Sequence, residues 1–104
     1  MIVTTGIEIE GRPISEYLGV VRGIVVRATG LGRGIVGGLK SIMGGNIEEW
    51  SVVCEEARRE AFNRMVQHAN EIGAEAIIGM RYDATESSQG ATEVLAYGTA
   101  VKLK

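Results

Sequence analysis

Residues 47–72 read IEEWSVVCEEARREAFNRMVQHANEI, and this stretch decides the fold. Trp50, Cys54, Ala57, Ala61, Met65, His68/Ala69 and Ile72 recur at three- and four-residue steps, which puts them on one face of an α-helix. Asn46 is placed to cap its start, with Glu49 three residues on reaching back as in a capping box. Gly73 stands where the chain leaves such a helix through a left-handed C′ residue. Glu55–Arg59 and Glu60–Arg64 are i,i+4 pairs in the favourable order, so the opposite face reads as solvated. A helix of about 26 residues runs ~39 Å at 1.5 Å per residue. A compact domain of about 100 residues has a radius of gyration of about 13 Å, hence a diameter near ~34 Å. The helix is therefore expected to span the subunit and overhang it.

The flanks read as strands. Residues 14–28 are rich in β-branched types and form one long strand, interrupted by Gly19 and Gly23. A glycine inside a strand marks a bulge or the close approach of another element. Residues 75–83 and 92–103 give two further strands, joined by a hairpin loop at 86–90. Residues 2–5 and 7–10 read as short extended pieces, before a bend at Gly11-Arg12-Pro13. Residues 30–45 hold 7 of the 15 glycines, and Ile35, Val36, Leu39, Ile42 and Met43 suggest a short helix near 33–43. The chain is expected to form one α+β domain over 1–104.

The strands carry apolar residues on both faces. Leu18, Val20, Ile24 and Val26 fall on one side of the long strand, and Tyr17, Val21 and Val25 on the other. Ala76, Ile78 and Met80 alternate with Ile77 and Gly79, and Val94, Ala96 and Ala100 with Leu95, Tyr97 and Val101. One helix covers one face of a sheet. A bare apolar face of several hundred Å² marks an interaction surface; the short helix could cover some of it, and copies of the chain are expected to cover the rest.

Composition narrows the function. The chain has a net charge of -2, with 45% hydrophobic and 23% charged residues, so no nucleic-acid partner is expected. No signal-like segment opens the sequence and no apolar run reaches ~18 residues, so no membrane role is expected. A single cysteine, Cys54, excludes an internal disulfide framework and suits a reducing cytoplasm.

The motifs are weak as chemistry. Residues 32–37, GRGIVG, match G-x-G-x-x-G, but a dinucleotide site needs an acidic residue on a strand about 20 positions later, and Glu55 and Glu56 fall inside the helix. Residues 38–41, GLKS, lack the glycine that precedes the lysine of a P-loop. Glycine-rich backbone beside a helix start does bind anions, and Arg27, Arg33 and Lys40 are the candidate contacts for a small anion or nucleotide at 30–45. Cys54 and His68 stand fourteen residues apart on the helix, ~21 Å along its axis, so they do not share one metal ion within a subunit. Cys54 reads as a core residue between Trp50 and Ala57. His68 reads as a cation near the helix C-terminus, favoured by the dipole. Glu8 and Glu10 read as solvated carboxylates on one side of a strand. No nucleophile–base pair stands out, and no catalytic residue is assigned.

Thr4-Thr5, Glu10-Gly11, Ile14, Glu16-Tyr17, Gly19-Val20-Val21, Gly23, Gly44-Gly45, Ala57-Arg58, Ala61, Met65, Gly73-Ala74, Ala76-Ile77-Ile78-Gly79, Tyr82 and Gly98-Thr99-Ala100-Val101 form an ordered pattern over almost the whole chain. In that pattern the sequence resembles the YbjQ-like family of small bacterial and archaeal proteins, which carries a heavy-metal-binding label. The resemblance implies a dodecin-like β-α-β-β subunit, one long helix on an antiparallel sheet, assembled as a homopentameric ring. It implies a heavy-metal cation as the ligand class and brings neither a proven activity, catalytic residues nor a known cofactor; with one histidine and no acid–base motif, the chain is expected to be non-enzymatic.

Overall fold

The structure is a computed structural model that describes residues 1–28, 48–86 and 91–104, with side chains placed at 1–27, 54–85 and 91–104. Four strands and one long helix follow in the order β1 (Ile2–Val3), β2 (Ile14–Ala28), α1 (Glu48–Glu71), β3 (Ala76–Glu86) and β4 (Ala91–Leu103). The expected helix and the three long strands are present to within three residues at each end. The short helix near 33–43, the cap at Asn46 and most of the hairpin loop lie outside the described residues. Residues 7–10 form bends and a turn instead of a strand, so Glu8 and Glu10 are exposed without sharing a strand face.

The sheet order is β1-β3-β4-β2. The two long pairings, β2 with β4 and β3 with β4, are antiparallel. β1 runs parallel to β3, so the sheet is mixed where a purely antiparallel one was expected. The cause lies in the first residues, which keep extending along β3. Thr4 N–H donates to the Ile77 carbonyl at 3.0 Å, Met80 N–H to Thr4 at 3.0 Å and Gly79 N–H to Gly6 at 2.7 Å.

α1 lies over β2 and β4 and barely reaches β3. Ala57, Ala61, Met65 and Ala69 supply its buried stripe, against Val21 and Val25 of β2, Val94, Ala96 and Ala100 of β4, and Ile77 and Met80 of β3. Small residues dominate the helix side because the contact is close. A Cβ built on Gly23 would run into the Ala61 carbonyl oxygen and stand 2.5 Å from the Met65 backbone nitrogen. Gly23 is thus the close approach that a glycine in this strand announced.

Gly19 is the bulge. It takes φ 113°, where the β2–β4 register slips between Tyr17 and Gly19. An extra residue reverses the side-chain alternation beyond it. Leu18 therefore packs with the helix-side core, and Tyr17 is exposed, the reverse of strict alternation. Gly79, at φ 61°, sits in a second slip between Ile78 and Arg81. It moves Met80 to the helix side, away from Ala76 and Ile78.

The helix ends as its sequence requires. Gly73 adopts φ 80°, Ala74 N–H donates to the Ala69 carbonyl at 2.9 Å and Gly73 N–H to Asn70 at 3.1 Å. These are the two bonds of a Schellman motif. The described chain is elongated, 54 × 23 × 18 Å with a radius of gyration of 17.1 Å. Fifteen residues of β2 account for much of that length, at about 3.3 Å each.

Candidate functional site

The face of the sheet turned away from α1 has two halves. At one end the N-terminal segment folds back, and Ile9 and Ile14 pack on Ala76, Ile78, Val101 and Leu103. Arg81 Nη1 fixes this segment by donating to the Thr5 carbonyl at 2.9 Å. Glu75 closes the same end, accepting the Leu103 N–H at 3.0 Å.

The other half is uncovered among the described residues. Cross-strand register sets Val20 beside Thr99, Arg22 beside Tyr97, Ile24 beside Leu95 and Val26 beside Glu93. On β3, Arg81 adjoins Tyr97, Asp83 adjoins Leu95 and Thr85 adjoins Glu93. Val20 is 69% exposed and Val26 64%, with Ile24 and Tyr97 each at 36%. These side chains form one apolar strip with basic groups toward one end and acidic groups toward the other. Apolar patterning on both strand faces had announced the strip.

The helix bonds two backbone groups on the free edge of β2. Arg64 Nη1 donates to the Ile24 carbonyl at 2.7 Å. One helical turn on, His68 Nδ1 accepts the Arg22 N–H at 3.3 Å. His68 stands in the last turn of α1, as expected, and there also ties the helix to β2. Glu60 ties the same side together, accepting from Arg27 at 2.5 Å and from Arg64 at 2.7 Å. Pairs this exposed add at most about 1 kcal/mol each, and their main effect is to shield the edge from another strand.

Of the candidate anion contacts, Arg27 already holds the Glu60 carboxylate, and Arg33 and Lys40 lie outside the described residues. Glu60–Arg64 forms as expected, whereas Glu55 and Arg59 make no ion pair among the described residues. Cys54 is a free, exposed thiol, which corrects the core assignment. Among the described residues the buried stripe of α1 starts at Ala57 and runs through Ala61, Met65 and Ala69. Among the described residues, no three His, Cys, Asp or Glu side chains gather to hold a metal ion. No helix in this part of the chain is long and apolar enough to cross a membrane.

The chain matches, over residues 1–104, the family model YbjQ_1, described as "Putative heavy-metal-binding". It is 55% identical over 101 residues to a UPF0145 protein of Legionella pneumophila (strain Corby), covering 97% of this chain and 96% of that one. A UPF0145 protein of Archaeoglobus fulgidus is 45% identical over 104 residues, 100% of this chain and 96% of that one. Among solved structures, a protein with unknown function of the DUF74 family from Pediococcus pentosaceus ATCC 25745 superposes with a TM-score of 0.68. The match covers 100% of this chain and 98% of that one. At 18% identity that likeness shows a common fold.

Proposed function

This chain belongs to the YbjQ-like family of uncharacterised proteins, and from that premise we propose that it acts as a non-enzymatic homopentamer binding a ligand between its subunits. The observation that carries the reading is the bare half-face of Val20, Ile24, Val26, Leu95 and Tyr97. The described residues of one copy leave it wet, and an apolar strip flanked by both signs of charge is what a second copy covers. The ring of five, like the dodecin-like relation and the cytoplasmic setting, comes from the resemblance and from composition. The helix bonds at Arg22 and Ile24 favour packing through the face over strand addition at that part of the β2 edge.

The family description points to a heavy metal. The described donors of one copy do not fit such an ion, which needs three or four clustered ligands. A cation in this assembly therefore takes its ligands from several copies. Calorimetric titration with zinc, copper and nickel tests this, and the expected result is fewer than one ion per chain. No heat above buffer would remove the metal from the proposal and leave the assembly to be judged by its mass.

A further inference from the structure

We propose that the groove between α1 and β3 binds a small anion carrying an aromatic ring. The groove exists because α1 sits mainly over β2 and β4, and among the described residues β3 is buried on its helix side at Ile77 and Met80 but exposed from Tyr82 onward. It has a volume of about 550 Å³ and is lined by Glu55, Arg58, Arg59, Phe62 and Tyr82. The groove is open to solvent along one side and has room for a small molecule lying along it.

The lining has a definite chemistry. Tyr82 pairs across the sheet with Ala96, a core residue beneath α1, so Tyr82 belongs to the helix layer. Phe62 is half-buried against the same core and shows its remaining surface to the groove. Two aromatic side chains therefore line the groove, as a flat ring would need. Arg58 and Arg59 add two guanidinium groups. Unlike Arg27 and Arg64, which share Glu60, they have no hydrogen bond or ion pair among the described residues. A guanidinium fork binds phosphate or carboxylate bidentately and also stacks on aromatic rings. Glu55 sets one carboxylate against the two cations. The groove thus keeps one net positive charge, which suits a compact anion over a long polyanion.

The groove lies on the opposite side of the sheet from the bare apolar strip, so association through that strip leaves it open. The inference is independent of the ring, and its failure would leave the mass of the assembly unchanged. Adenosine monophosphate is the probe, titrated calorimetrically into the full chain, with adenosine and inorganic phosphate as half-ligand arms. The expected result is saturable binding of the nucleotide, with each half-ligand at least about tenfold weaker, since each loses one of the two contact types. Arg58→Ala with Arg59→Ala should weaken nucleotide binding by roughly tenfold or more, and Tyr82→Leu should weaken it too. Glu55→Gln should tighten binding by a few-fold, which a merely structural role would not do. Absence of saturable binding at millimolar nucleotide overturns the proposal, as does adenosine binding as tightly as the nucleotide. It is equally overturned if Arg33→Ala with Lys40→Ala abolishes binding while the Arg58/Arg59 variant retains it, because the site would then be the glycine-rich segment.

Discussion

Gly23→Ala is expected to destabilise the chain by about 3 kcal/mol or more, at the upper end of what overpacking costs. The added methyl meets backbone on the helix side: the Ala61 carbonyl oxygen, the Met65 nitrogen at 2.5 Å and, beside them, Arg64 Cβ at 2.8 Å. No rotamer change relieves a clash with backbone, so α1 must lift from β2. Lifting it also strains the Arg64 bond to Ile24 and the His68 bond to Arg22. Gly6→Ala is the control, because its Cβ would meet only Thr4 Oγ1 at 3.4 Å and Glu8 O at 3.7 Å. Such a change should stay within about 0.5 kcal/mol. Urea denaturation followed by helical circular dichroism compares the two variants, and equal midpoints would contradict the close seating of α1 on β2.

Val20→Glu combined with Val26→Glu is expected to reduce the proposed assembly to single 11.1 kDa chains that remain folded. Both side chains are mostly exposed in one copy, so the isolated fold should lose no more than about 1 kcal/mol in all. In a covered strip each carboxylate loses its water without a designed partner, at several kcal/mol per charge. Two such charges exceed what a modest protein interface spares. Light scattering reads the mass and circular dichroism reads the fold. An unchanged mass with an unchanged spectrum would place the interface elsewhere.

The helix and the long strand were legible because their signals are local. The 3.6-residue stripe from Ala57 to Ala69, the Schellman glycine Gly73 and the β-branched run of β2 need no knowledge of distant chain. The bulges at Gly19 and Gly79 were harder, because a phase reversal depends on which β4 residue stands opposite. Leu18, Tyr17 and Met80 changed sides for that reason. β1 is only two residues long, and its parallel pairing follows from where β3 runs. Cys54 followed the stripe in sequence but lies beyond the described core that the stripe covers.

The candidate surfaces divide in the same way. The apolar strip was visible as two-faced hydrophobicity along three strands. The groove of Arg58, Arg59, Phe62 and Tyr82 was not, since helical periodicity assigns both arginines to solvent. Tyr82 joins them only through its register opposite Ala96. Its signal in the sequence was faint: two adjacent arginines whose i,i−4 neighbours leave only Glu55 as a partner for one of them.

The central claim is that identical copies cover the strip of Val20, Ile24, Val26, Leu95 and Tyr97. Light scattering on the purified native chain, diluted from tens of micromolar to below one micromolar, tests it most directly. A stable mass several times 11.1 kDa, fivefold for the proposed ring, is the predicted result. A well-behaved 11.1 kDa particle at every concentration would contradict it.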